Sequence, residues 1–439
     1  MSDLAAELNA VLAGTAAGRL LSALGRRMFF PRGIIAQAAE AKQRASVNAT
    51  LGMAYRDGKP LILSALHDSL PRLSPAETVV YAPTAGVAET RAAWKEELLR
   101  KNPSLRADAV SLPIVTPGIT AGISYTADLF LDEGDTVAAS FPSWDNYRLI
   151  FEERRGAVLR EIPFFGPDDE RETLDLAGIE RGLRAAAEGG ALRVILNFPN
   201  NPSGYAPARG EADALADILF RIAGDGADVL VFCDDAYFGL FYEDGAARES
   251  LFARLAGLHE RIVAVKIDGP TKEDYAWGLR MAFVTLGSKG LTAEHRDALE
   301  KKYMGLIRSS VSCANTPAQY LMLKTLTDSR TPAEKEGFFR LLESRYRAVR
   351  RFLAEHAPHP VLRPLPFNAG YFMCFRCTGI NAEDLRRALL DCGVGTVALG
   401  DRYLRVTFAA IEEDVIKDVY EKIYAAALRL AASPLMSRP

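Results

Sequence analysis

Long apolar runs are missing from this chain of 439 residues, and so is any marked excess of one charge: 53 lysines and arginines face 56 aspartates and glutamates. The first absence argues against a membrane-spanning helix, which needs about 20 consecutive apolar residues. The second leaves no basic stripe, so neither nucleic acid nor a membrane surface is expected as a partner. Cysteine is sparse and odd in number, five in all. That argues against a disulfide framework and for a reducing compartment, the cytoplasm. Cys374 and Cys377 have the CxxC spacing, but they fall in an apolar run that reads as a strand, with no second Cys or His pair close by. Two buried thiols are expected there, and no metal. A secretory leader is not expected either: Met1 to Arg27 reads as an Ala/Leu-rich helix broken by Glu7, Arg19, Arg26 and Arg27. Internal repeats and low-complexity tracts are missing as well.

What remains is ordinary globular composition, 49% hydrophobic and 25% charged, in a chain long enough for one large domain and a smaller one. Residues 1–30 read as a helical arm ending at Phe29-Phe30-Pro31. Residues 31–67 hold a helix over Ala36 to Thr50 and a turn at Arg56 to Pro60, and read as the first part of a small domain. Residues 68–332 read as a large α/β domain. After a helix at Ala88 to Arg100, strand-like runs fall at Val110–Val115, Thr136–Ala139, Val158–Ile162, Arg193–Asn197, Val229–Cys233, Ile262–Ile267 and Met281–Leu286. Helical runs such as Ala121–Leu131 and Ala212–Ile222 separate them. Nearly continuous apolar strands between helices predict a mostly parallel sheet covered on both faces. Residues 333–439 complete the small domain as an α+β unit. Its helices are Ala333–His356, Ala382–Cys392 and Glu412–Ala432, and its strands Gly370–Phe375, Gly395–Ala398 and Tyr403–Phe408.

Three strings carry chemistry, each just after a strand, where open α/β sheets place ligands. Asn197-Phe198-Pro199-Asn200-Asn201-Pro202-Ser203-Gly204 is too dense in backbone-fixing residues for a plain turn. Asp234-Asp235-Ala236-Tyr237 puts a carboxylate where burial demands a cationic partner, although a helix-capping Asp is the common alternative. Asp268-Gly269-Pro270-Thr271-Lys272 sets a lysine in a Gly/Pro loop with Arg280 eight residues on. Burial beside a cation lowers a lysine's pKa and makes it a nucleophile, whereas most lysines are merely solvated. Lys266, the nearest rival, lies within the strand itself, and its loss is expected to leave the chemistry intact.

Together and in this order, these strings resemble the class I and II aminotransferases of fold type I, which use pyridoxal 5'-phosphate (PLP). The resemblance runs from about Asn48 to Phe408. It implies that Lys272 forms the imine with the cofactor and shuttles protons. Asp234 faces the pyridine nitrogen, Asn201 and Tyr237 the ring oxygen, and Arg280 the phosphate. The turn Thr116-Pro117-Gly118-Ile119-Thr120 resembles the family's phosphate-binding helix start, with Gly118, Ile119 and Thr120 as contacts. Trp144, in Pro142-Ser143-Trp144-Asp145-Asn146-Tyr147, is similar to the aromatic stacked on the ring; a core tryptophan is the competing reading. Arg405 resembles the clamp on the substrate's α-carboxylate, with Asn201 and Gly52 beside it. Tyr81 is similar to the tyrosine that family dimers lend to the partner's phosphate, and Arg308 to an arginine that reaches a distal carboxylate across the interface. One departure stands out: the family's serine three residues before the lysine is Gly269 here, with Thr271 a possible substitute.

The resemblance implies transamination between an L-amino acid and a 2-oxo acid by a ping-pong route, in a homodimer with active sites at the interface. Other PLP reactions of the same fold remain open at this level: β-elimination, decarboxylation or retro-aldol cleavage. A non-enzymatic PLP-binding regulator is disfavoured by the lack of a DNA-binding module before residue 30, and a dead relative by intact Lys272, Asp234 and Arg280.

Overall fold

Strands whose residues are apolar on both faces need helices on both sides of the sheet, and that requirement shapes the larger unit. A computed structural model describes residues 3–13, 15, 21–29, 33–166 and 173–432. Seven strands form one sheet: β1 (Ile114–Thr116), β2 (Thr136–Phe141), β3 (Val158–Pro163), β4 (Ala191–Asn197), β5 (Asp228–Asp234), β6 (Ile262–Asp268) and β7 (Ala282–Gly287). Their spatial order is β1-β7-β6-β5-β4-β2-β3. All run parallel except β7, which is antiparallel to both neighbours. Along β5, Leu230 and Phe232 enter one core cluster while Val229, Val231 and Cys233 enter another. That alternation is the direct mark of a sheet buried on both faces.

All seven predicted strands are present, with edges shifted by a residue or two. The largest change is at β1, which starts at Ile114 rather than Val110. Val110 forms only an isolated bridge to Gly287, and Pro113, which has no N–H to donate, intervenes.

A second sheet has the order β8-β9-β11-β10, all antiparallel: β8 (Leu362–Pro364), β9 (Phe372–Cys377), β10 (Val397–Leu399) and β11 (Tyr403–Thr407). The predicted strand at Gly395–Ala398 is split, since Val394–Gly395 pairs instead with Val47–Asn48. Helices that bear on the site are α1 (Asp3–Leu12), α2 (Ala23–Arg27), α3 (Ile34–Arg44), α4 (Ala88–Lys101), α5 (Ile119–Phe130), α6 (Arg209–Gly224), α7 (Ala293–Ser310), α8 (Thr331–Glu355), α9 (Ala382–Asp391) and α10 (Glu413–Ala432). Two helical expectations need correction. The first arm is not one helix, because Ser22 is extended and its side chain caps α2 by accepting from Gly25 N at 3.0 Å. The Phe30-Pro31 end of that arm lies outside the described residues. The helix expected over Ala36–Thr50 ends at Arg44. β-Branched Val47 then joins a parallel bridge to Val394, and Gly395 leaves room for Ala41, whose Cβ would stand 2.6 Å from a Cβ there.

The two sheets meet at Gly204. Its φ of +80° is a left-handed conformation, and a Cβ at this position would collide with the Phe372 carbonyl of β9. Its own carbonyl accepts from Asn368 N and Ala369 N at 3.0 and 2.9 Å. A glycine is required twice over, by φ and by contact. Gly204→Ala is expected to lower the unfolding free energy by about 2–4 kcal/mol, measurable by chemical denaturation.

Candidate active site

Parallel strands deliver their carboxyl ends to one edge of the sheet, and each chemistry-bearing string sits on that edge. β1 leads to Gly118–Thr120, β2 to Trp144, β4 to Asn201, β5 to Asp234 and Tyr237, and β6 to Lys272. Because β7 runs the other way, its start, preceded by Arg280, reaches the same edge. Across the sheet the order is therefore Gly118 and Arg280, then Lys272, then Asp234, then the Asn197–Gly204 string. The strands that lead to Arg280 and Asp234 are two spacings apart, about 10 Å.

A cavity of about 700 Å³ opens along this edge. Gly52, Ile119, Thr120, Trp144, Asn201, Asp234, Tyr237, Thr271, Lys272, Arg280 and Arg405 all line it. Gly118 adjoins it: its φ is +96°, and a Cβ there would collide with the Arg280 guanidinium. Tyr81 and Arg308 do not reach it within one chain. Tyr81 is 87% exposed, and Arg308 is exposed on the last turn of α7.

Lys272 Nζ stands 4.9 Å from the centre of the Tyr237 ring. Burial lowers its pKa to about 8, Arg280 works in the same direction, and Asp234 opposes both. Asp234 is 2% exposed. It accepts from Tyr147 Oη at 2.5 Å and from Ala236 N at 3.2 Å. Burial raises its pKa to about 6, against the Tyr147 hydrogen bond and Lys272. Arg405, on β11, turns away from the core face of Leu404 and Val406, as the alternation predicts. Its Nη1 donates to Asn201 Oδ1 and its Nη2 to the Thr50 carbonyl, both at 3.1 Å. The guanidinium carbon lies 4.4 Å from the Phe372 ring centre, and Nε is buried without a partner. Arg402, its neighbour, is exposed.

The adjacent acids Asp234 and Asp235 separate cleanly. Asp235 turns away from the cavity, accepts from Ser250 Oγ at 2.6 Å, and is ion-paired with Lys266. Lys266 is fully buried, also lies 3.3 Å from Asp268 Oδ2, and covers the Phe238 ring. Burial alone would push its pKa down, but the two carboxylates hold it above the ordinary lysine value. Gly269 is explained too: a Cβ there would stand 2.8 Å from Ala282 Cα, so β7 leaves no room for a serine. Thr271 lines the cavity in its stead.

Several contributors escaped the sequence reading. Tyr147 and Asn197 lay inside the quoted strings but carried no assigned role; Asn197 accepts from Asn201 N at 2.7 Å and donates to the Asp234 carbonyl at 2.8 Å. Phe372 and the Thr50 carbonyl had no local signal at all. Asp145 lines the cavity and lies beside the start of α3, with Oδ2 3.1 Å from where a Cβ on Gly33 would be.

These residues fit PLP. At one end, α5 begins without a side-chain cap, next to a glycine whose missing Cβ makes space for Arg280, which suits a phosphate. At the other end, a buried carboxylate has hydrogen bonds from neutral donors, which suits a protonated ring nitrogen.

Two consequences can be measured. Lys266→Ala and Asp235→Ala should each cost about 3–5 kcal/mol of folding free energy by stranding a buried charge, whereas Asp234→Ala, which strands only neutral donors, should cost less, about 1–3 kcal/mol; denaturant melts would tell them apart. In cofactor-free protein, the depressed pKa of Lys272 penalises folding while the ammonium form must be buried. That penalty is full below about 8 and fades as pH rises toward the ordinary value near 10.5. Lys272→Met should thus be more stable than the wild-type chain at pH 7, with the gap closing by pH 10.

Comparison with known proteins agrees with this geometry. The family model described as aminotransferase class I and II matches residues 52–423. An aspartate/prephenate aminotransferase of Thermus thermophilus is 26% identical over 348 residues, 77% of this chain and 80% of that protein. Aromatic-amino-acid aminotransferase 2 of Thermococcus litoralis is 23% identical over 343 residues, 76% of this chain and 80% of that protein. Among solved structures, an aminotransferase from Anaerococcus prevotii has the same fold, with a TM-score of 0.81 at 22% identity, covering 91% of this chain and 98% of that one. The chain therefore belongs to the class I and II aminotransferases, PLP-dependent enzymes of fold type I that pass an amino group from an amino acid to a 2-oxo acid.

Proposed function

We propose that this transfer is carried out by Lys272, with Asp234 and Tyr237 as its catalytic partners. The observation that supports this most is the convergence of Lys272, Asp234, Arg280 and Arg405 on one cavity. In this reading Asp234 faces the pyridine nitrogen, and Tyr237 and Asn201 its ring oxygen. Gly118, Ile119, Thr120, Thr271 and Arg280 surround the phosphate, and Trp144 covers the ring. Arg405 takes the substrate's α-carboxylate, with Asn201 and Gly52 beside it.

Bound PLP supplies an electron sink for the carbon that carries the amino group. The chain's own residues do the rest. A pKa lowered to about 8 leaves part of Lys272 as free amine near neutrality, able to act as a nucleophile and then to carry a proton on Nζ. Asp234, short of a cation, gains from any positive charge placed against it. Arg405 is held from behind by Thr50 and Phe372, so its N–H edge is oriented before a carboxylate arrives.

The working unit in this reading is a cytoplasmic, twofold homodimer. Support for the compartment comes from five free cysteines. Support for the dimer comes from Tyr81 itself, which is exposed together with its chain neighbours Val79 and Val80. The small domain would combine residues 31–67 with 333–439, a division favoured by the pairing of Val47 with Val394.

Lys272→Ala should lose both the cofactor's lysine-linked absorbance and turnover with any amino donor. Persistence of that absorbance would overturn the assignment. Co-refolding inactive Lys272→Ala chains with an inactive Tyr81 or Arg308 variant tests sharing: hybrids of a shared-site dimer regain one sound site, and a fully active monomer by light scattering would refute the dimer.

A further inference from the structure

Two acids, Glu273 and Asp274, directly follow Lys272, and both are turned inward. Asp274 has a side chain only 1% exposed, and accepts from Lys335 Nζ at 2.7 Å. Lys335 also stands 3.4 Å from Glu273 Oε1. The other oxygen of Glu273 accepts from Lys101 Nζ at 2.6 Å, and Lys101 lies 3.2 Å from Glu97. Charge alternates along the chain of contacts Glu97, Lys101, Glu273, Lys335, Asp274. Against burial, which pushes it up, Lys101 and Lys335 hold the Glu273 carboxyl below its ordinary value.

This network grips the loop from three sides. Lys101 ends α4, and Lys335 sits near the start of α8. Glu273 fills the notch beside Gly239 (φ +93°), where a Cβ would stand 2.7 Å from Glu273 Oε1. Gly239 is two residues past Tyr237. The Lys272 carbonyl itself accepts from Tyr371 Oη at 2.9 Å. Tyr275 has φ +55°, a conformation unfavourable for an aromatic residue, so contacts rather than local preference hold the loop. Among the described residues Asp274 Oδ2 is buried with no hydrogen-bond partner, which makes its charge depend on Lys335.

α8 also reaches the other half of the site. Arg345, further along the same helix, donates to the carbonyls of Tyr55 and Ala409 at 2.6 Å each and pairs with Glu412. Ala409 lies just past β11, the strand of Arg405. One helix thus touches both the lysine loop and the end of the arginine strand.

We propose that Lys335 is a positioning residue for Lys272: by pairing with Asp274 and Glu273 it fixes the lysine loop to α8 and so sets where Lys272 Nζ stands relative to Arg405. The proposal rests on the reading of Lys272 as the cofactor lysine. The charged and polar groups that face Lys272 Nζ directly are Asp234, Arg280 and Tyr237. Lys335 acts from behind the loop, and its loss would leave Asp274 buried without its cation two residues from Lys272, while Glu273 keeps Lys101.

The test is a pH titration of the cofactor absorbance band in holoenzyme. Lys335→Met should move its midpoint up by about 0.5–1 unit, since a positive charge is lost near a nitrogen that becomes cationic. Asp274→Asn should move it down, and the double variant should return toward wild type. Lys335→Arg should keep the wild-type midpoint. In Lys335→Met, kcat should fall about tenfold with KM within about twofold, as expected when a reacting atom is misplaced rather than substrate binding lost. Unchanged midpoints, or midpoints moving the same way in both single variants, in protein that is folded by circular dichroism, would overturn the proposal. If Lys335→Met does not fold, an unchanged midpoint in Asp274→Asn overturns it alone. Lys272→Ala is the control: a band that persists there condemns the reading of Lys272 and not the role of Lys335.

Discussion

Removing charge from water is the constraint that organises this protein. The carboxyl edge of the sheet gathers Asp234, Asp235, Lys266, Lys272 and Arg405, and burial works against ionising every one of them. The structure answers in two ways. Groups behind the edge are paired with each other, as Lys266 is with Asp235 and Asp268. Groups facing the cavity are left partly unmet among the described residues: Asp234 has neutral donors, Lys272 has no ion pair there, and Arg405 keeps a buried Nε without a partner. The unmet charges are those that a cofactor and a substrate carboxylate would satisfy. Folding free energy therefore accumulates in the back layer and is withheld in the front one, the usual division between scaffold and site.

How much of this was legible in the sequence depended on distance along the chain. The seven strands could be read because a sheet buried on both faces needs nearly unbroken apolar runs, and helical runs separate them. The strings after the strands could be read because strand ends are where the chain must turn and where ligands lie. Arg405 was singled out by the resemblance of its strand to the family's carboxylate clamp, and alternation agrees: with Leu404 and Val406 committed to the core, it faces the other way. By contrast, Lys266 looked dispensable because its two carboxylates come from separate segments, and no local pattern announces such a pairing. The same holds for the Thr50 carbonyl and for Phe372, which are brought to Arg405 only by folding. The end of α3 was missed for a related reason. Helix propensity favours continuation past Arg44, but a distant partner, Val394, offers Val47 a strand instead.

Gly269 teaches a different lesson. Read locally, it is a missing serine and thus a weakened phosphate site. In three dimensions the position faces β7 so closely that a side chain has no room. Thr271, two residues on, occupies the cavity wall instead. A departure from a family pattern is better judged by the space that remains at the position than by the residue that is gone.

The antiparallel strand β7 gives the site its internal scale. Lys272 and Arg280 are both carried by the connection between β6 and β7, whose pairing begins at Phe283 with Asp268. That connection is a closed hairpin, so the two cations share a single reference frame. Asp234, Asn201 and Arg405 come from other segments and can drift with twist of the sheet or movement of the second unit. Lys272 and Arg280 drift together. Errors in the placement of the Lys272 nitrogen and of the Arg280 guanidinium are therefore correlated. A length change is tolerable in most surface loops; in this one, a single added residue would lengthen the ruler by which the site is measured.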